Sequence, residues 1–130
     1  SEVQFGLNEN PIWSLNVNIG AGDADFDLRK FKVKNFVFNG GAIDMKVIVG
    51  DLYEETNMVL RAGVSNIKVE IPEGSGCQIK SYTSLSNRDF DGFTKVKSGV
   101  YETANFKTAK NKIYINLNGG LSNFEVKKYD

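Results

Sequence analysis

The sequence predicts an all-β, single-domain β-solenoid of coils about 19–22 residues long, with a hairpin-built β-sandwich as the alternative. Three observations lead there. Apolar and polar residues alternate strictly in several runs, no window of 11 or more residues shows clean helical spacing, and one glycine-led module recurs four times.

The alternating runs come first. Trp13, Leu15, Val17 and Ile19 are separated by Ser14, Asn16 and Asn18. Ile67, Val69 and Ile71 are separated by Lys68 and Glu70, and Ile113, Ile115 and Leu117 by Tyr114 and Asn116. Pro11 and Pro72 sit at run edges, where a strand can lose a donor without harm. A short helix within 51–60 is the competing reading there, resting on Glu54, Glu55 and Met58.

Each copy of the module is Gly, two residues, Asp or Asn, then apolar-x-apolar. The copies start at Gly22, Gly41, Gly63 and Gly120. The last apolar residue before each lies seven positions before the first after it: Ile19 to Phe26, Phe38 to Met45, Leu60 to Ile67, Leu117 to Phe124. Seven is odd, so a straight strand would point those two side chains to opposite faces. A shared core therefore requires a corner at the glycine, the residue that reaches φ > 0 without a Cβ clash. Successive copies are 19, 22 and 57 residues apart, and 57 is three times 19. Type II′ turns at Gly22-Asp23, Gly41-Ala42, Gly63-Val64 and Gly120-Leu121 satisfy the same spacing as antiparallel hairpins, pairing Ile19 with Phe26 and Val17 with Leu28. Residues 80–110 hold no copy, and an irregular insertion is expected at about 81–105.

The segment Trp13–Leu28 resembles the opening of the toast-rack domains of LiaF-like bacterial cell-envelope stress proteins and related "putative adhesin" families. Phe36–Met45 is similar to the second rung, Val64–Pro72 to the third, and Lys110–Gly120 to the closing rung before a final Phe-Glu-Val strand. The resemblance covers most of 12–127 and fails over about 81–105. It implies an extracytoplasmic or membrane-associated binding module of a bacterium and no particular ligand. A binding or sensing role is expected, with a protein or another envelope component as partner and a monomer or dimer as the state of the chain. The resemblance supplies no catalytic residue to carry over.

Composition narrows the chemistry. The chain has 130 residues, 16 basic against 16 acidic, no histidine and one cysteine. A balanced charge excludes a general phosphate-binding surface, so no nucleic-acid partner is expected. Absent histidine removes Ser-His-Asp and Cys-His catalysis and His-ligated zinc. Cys77 can form neither an internal disulfide nor a Cys-rich metal site, and is expected to be an inert thiol. No stretch approaches the roughly 20 apolar residues of a membrane-spanning helix. Ser1 is not methionine and no leader follows it, so any signal or membrane anchor is expected outside the given residues.

Candidate sites are few. Phe90, Phe93 and Tyr82 form the candidate ligand or partner surface, with core cover as the plainer role for the two phenylalanines. No cofactor is expected beyond a low-ranking calcium ion. Asn87, Asp89, Asp91 and Gly92 match positions 1, 3, 5 and 6 of a calcium loop, but position 12 is Ser98 rather than Glu. Asp23, Asp25 and Asp27 share one strand face. A calcium loop from Asp23 would place Leu28 and Lys34 where Gly and Glu belong, so a solvated acidic edge is expected. Lys30, Lys32 and Lys34, with Lys107, Lys110 and Lys112, read as solvated charges rather than a lipid-binding patch. Two alternatives to a binding module remain: a small carbohydrate-active enzyme using a pair such as Asp25 and Asp44, and an assembly unit stacking through its end coils.

Overall fold

The computed structural model describes residues 11–130, the side chains of 83–88 excepted. Among the described residues seven strands form one sheet: β1 (Ile12–Asp27), β2 (Lys32–Ile48), β3 (Glu55–Pro72), β4 (Gly76–Phe90), β5 (Phe93–Lys97), β6 (Val100–Thr103) and β7 (Lys112–Tyr129). Their order across the sheet is β1-β2-β3-β7-β4-β6-β5. The five long strands pair in parallel, β1 on β2, β2 on β3, β3 on β7 and β7 on β4. The parallel pairing selects stacked coils over the hairpins that spacing also allowed. Among the described residues the antiparallel pairs are β4 with β6 and β6 with β5.

Each long strand is a rung of 15–18 residues, about three times an ordinary strand. It stays regular because its inward set changes parity halfway. In β2, Phe36 and Phe38 are buried before the corner and Ile43, Met45 and Val47 after it, while Gly41 and Ala42 are both exposed. In β3 the buried sets are Met58 and Leu60, then Ile67 and Val69; in β7 they are Ile113, Ile115 and Leu117, then Phe124 and Val126. Two consecutive outward residues are the corner that the seven-residue interval demands. Each rung thus has two limbs lining one core, in which Phe26 packs edge-on against Phe36 and Phe38 at 5.3 and 6.3 Å.

The glycines serve that corner differently from expectation. Among the four module glycines only Gly22 has positive φ, 128°. At Gly41 the requirement is space: a Cβ would lie 2.6 Å from the carbonyl oxygen of Gly20 on the rung below. The first corner also lies elsewhere. Ile19 pairs with Gly40 and Ala21 with Ala42, so Gly20, not Gly22, stacks on Gly41, and Met45 pairs with Ala24 rather than Phe26. Ile19, on the outermost of the long rungs, is only partly buried against the core that fully encloses Phe26.

A further expectation is corrected. Residues 81–105 are not an irregular insertion: 81–90 complete β4 in register with β7, and 93–103 form the β5–β6 hairpin. Ser84 falls opposite Gly120, and Leu85-Ser86-Asn87 pair with Leu121-Ser122-Asn123, so β4 is a degenerate copy of the module, with Ser84 in place of its glycine and Arg88 in place of an apolar residue. The rungs do not stack in chain order. β7 lies directly on β3, 57 residues away, and the buried hydroxyls of Ser65 and Ser122 meet at 2.8 Å across that junction. Within 51–60, residues 51–54 form bends and β3 begins at Glu55; no helix forms there.

Cys77 is fully buried at the start of β4, where its backbone N–H donates to Thr103 Oγ1 at 3.0 Å. Burial pushes its thiol far above the ordinary range. Native protein is therefore expected to react with a thiol reagent at pH 8 at least about a hundredfold more slowly than unfolded protein. Rapid labelling without denaturant would show that β4 is not closed over its neighbours.

Candidate binding surface

The stacked rungs turn their outward residues into columns, one residue per rung, spaced about 4.8 Å. The two limbs carry different chemistry in those columns.

The limb after the corner is charged. One column runs Asp23, Asp44, Asn66, Asn123; the next runs Asp25, Lys46, Lys68, Glu125, Asp89. All of these but Asn123 and Asp89 line an open groove of about 350 Å³. Much of this charge is internally matched. Lys46 and Lys68 both reach Glu70, at 3.6 and 4.0 Å, and Lys127 pairs with Glu125 at 2.7 Å. Arg29 grips Asp27 through two bonds of 2.8 and 2.6 Å and holds that carboxyl below the usual carboxylate range. The bond from Lys127 likewise lowers Glu125.

The limb before the corner is rich in amides. Its columns read Ser14, Asn35, Asn57, Tyr114, Gln78; then Asn16, Val37, Val59, Asn116, Lys80; then Asn18, Asn39, Arg61, Asn118, Tyr82. Only Arg61 and Lys80 among these fifteen positions are charged. Two shallow depressions mark this limb. One of about 180 Å³ is lined by Glu55, Asn57, Gln78, Lys80, Tyr114 and Asn116, and one of about 320 Å³ at the corner by Asn18, Gly20, Asn39 and Gly41.

The structure separates the residues proposed as a ligand surface. Phe90 and Phe93 are half-buried against the core, and Phe90 packs edge-on with Phe93 and Tyr101 at 6.2 and 5.0 Å. They close the β5–β6 end of the core. Tyr82 lies on the outer face of the other limb, 62% exposed. Two of the three proposed calcium residues, Asp89 and Asp91, have described side chains. Asp89 pairs in register with Glu125, Asp91 sits in the turn after β4, and both help raise the Lys127 ammonium above its usual value after Glu125. The side chain of Asn87 lies outside the described residues. Among the described residues no group of three Asp, Glu or Cys could hold a metal ion. No helix among them is long and apolar enough to cross a membrane.

Sequence reasoning missed the amide surface because its columns exist only once the rung register is known. A usable signal was present: Val64-Ser65-Asn66, Leu121-Ser122-Asn123 and Leu85-Ser86-Asn87 are near-identical triplets that would have aligned β3, β7 and β4.

A solved structure titled "putative cell adhesion protein", from Clostridium sporogenes, superposes with a TM-score of 0.89 at 22% identity, over 95% of this chain and 58% of that one. The chain thus spans somewhat more than half of that protein, and the likeness is one of fold. A search of curated proteins finds no match. Residues 1–70, more than half of the chain, match the family model for the N-terminal domain of toast_rack, DUF2154, which takes in β1, β2 and nearly all of β3. The parallel rungs, their shared corner and this match together establish that the chain belongs to the toast_rack family.

Proposed function

We propose that the chain is a non-enzymatic binding module of the bacterial cell envelope, working outside the cytoplasm or at the membrane surface, as a monomer or dimer. The observation that carries this is the form of the surface. Five rungs in register present extended columns of outward side chains, an open face suited to holding a long ligand rather than enclosing a small one. Family membership and the adhesion title of the similar structure support the same reading. Asp25 and Asp44 stand exposed in an open groove, without the apolar surroundings that a glycosidase acid uses. An envelope sensor would need the same binding step first.

Sedimentation with insoluble bacterial envelope tests the reading. The purified chain is expected to pellet with wall or membrane fractions and to stay soluble without them. A chain that remains in the supernatant with every fraction overturns it, and release of reducing sugar from those fractions overturns its non-enzymatic part.

A further inference from the structure

We infer that the amide-bearing outer face binds a linear, uncharged polysaccharide, laid across the rungs along the column Asn18, Asn39, Arg61, Asn118 and Tyr82. The inference rests on the envelope-binding reading and names the ligand class that the surface fits.

The chemistry of the column comes first. A carboxamide offers two donors and an acceptor without formal charge, so it matches sugar hydroxyl and acetamido groups in either direction. Asn18 and Asn118 make no side-chain hydrogen bond to another described residue, and Asn39 accepts one long bond, 3.4 Å, from Arg61. That capacity is therefore turned to solvent. Arg61 is the column's one charge, and no carboxylate lies in the three columns of this face. A polyanion or a charged peptide finds few counter-charges here. The other limb shows the contrast, since it carries lysines and carboxylates along its rungs, Lys46, Lys68 and Lys127 being paired with Glu70 or Glu125.

Geometry adds two points. Rungs recur at about 4.8 Å, so the five-residue column runs about 19 Å. A linear polysaccharide repeats at close to the rung interval, which lets each successive sugar meet an equivalent side chain. The column ends on Tyr82, whose exposed ring can stack on the C–H face of a sugar ring. Beside its other end, Gly20 and Gly41 floor the depression of about 320 Å³, where bare backbone lets a ring approach closely.

The probe is chitohexaose, titrated into the whole chain while side-chain amide signals are followed by NMR. Asn18, Asn39 and Asn118 are expected to shift. The double variant Tyr82→Ala/Asn118→Asp is expected to weaken binding about tenfold or more while keeping the native circular dichroism. Asp44→Asn, on the charged limb, is expected to bind as the parent does. Absence of shifts at millimolar sugar, shifts confined to the charged limb, or equal binding of the polyanion polygalacturonate overturns the inference. A chain that pellets with envelope yet ignores chitohexaose refutes the ligand class alone. A chain that binds the sugar but pellets with nothing refutes the envelope reading alone.

Discussion

Replacing Gly41 by alanine is expected to destabilise the fold by about 2–3 kcal/mol, lowering Tm by roughly 10 °C. The added methyl would sit 2.6 Å from the Gly20 carbonyl oxygen, closer than real Cβ contacts come. The obstacle is backbone, held on both sides of the corner by the β1–β2 ladder, so no side chain can swing aside. Removing a glycine also restricts the unfolded chain, which by itself would stabilise by about 0.4–1 kcal/mol. The overlap is expected to win. Gly20→Ala supplies the control, because a Cβ there meets nothing within 4 Å; with only the unfolded-chain effect left, it is expected to raise the urea midpoint slightly. Equal midpoints for the two variants would show that the corners do not stack as described.

The larger effect is expected at Phe36. Phe36→Ala removes a ring with no exposed surface, edge-on to Phe26 at 5.3 Å, and is expected to cost about 3–5 kcal/mol. Much of that cost is the cavity left behind, since neighbours above and below are fixed by the parallel ladders. Phe36→Leu keeps most of the volume and is expected to cost under about 2 kcal/mol. Tyr82→Ala, at an exposed position, is expected to stay within about 0.5 kcal/mol. Urea unfolding of the three variants checks the order, and a Phe36→Ala loss below about 1 kcal/mol would contradict the core assignment.

The corner was legible because parity is a strict property of a strand. A one-residue slip sends every side chain to the wrong face, so the seven-residue interval could only mean a bend. The same rule explains the error in the first rung. Gly20 and Gly22 each precede an aspartate by three positions, Asp23 and Asp25, and a two-residue slip leaves every side chain on its proper face. Alternation cannot detect it; only the pairing of Ala24 with Met45 does. β4 escaped notice for another reason. Ser84 stands in the glycine's place, and Arg88 pairs with Phe124, so both the punctuation and the apolar pattern are lost there. For the candidate surface, the outward setting of Asn16, Asn18, Asn116 and Asn118 could be read from alternation, but not their neighbours. Which rung lies beside which depends on long-range stacking that no local segment encodes, and so Tyr82 was grouped with Phe90 and Phe93 instead of with Asn118.

The placement of β7 between β3 and β4 bears on how the molecule is made. β4 follows β3 by only a short turn, yet the two are not neighbours in the sheet. As the chain leaves the ribosome, β4 and its hairpin must wait, with one edge of β3 open beside them, until residues 112–129 emerge and slot into the gap. Assembly of the whole sheet is thus expected to be slow and governed by loop closure over large sequence separations, with the half-built sheet prone to capturing a stray strand during the wait.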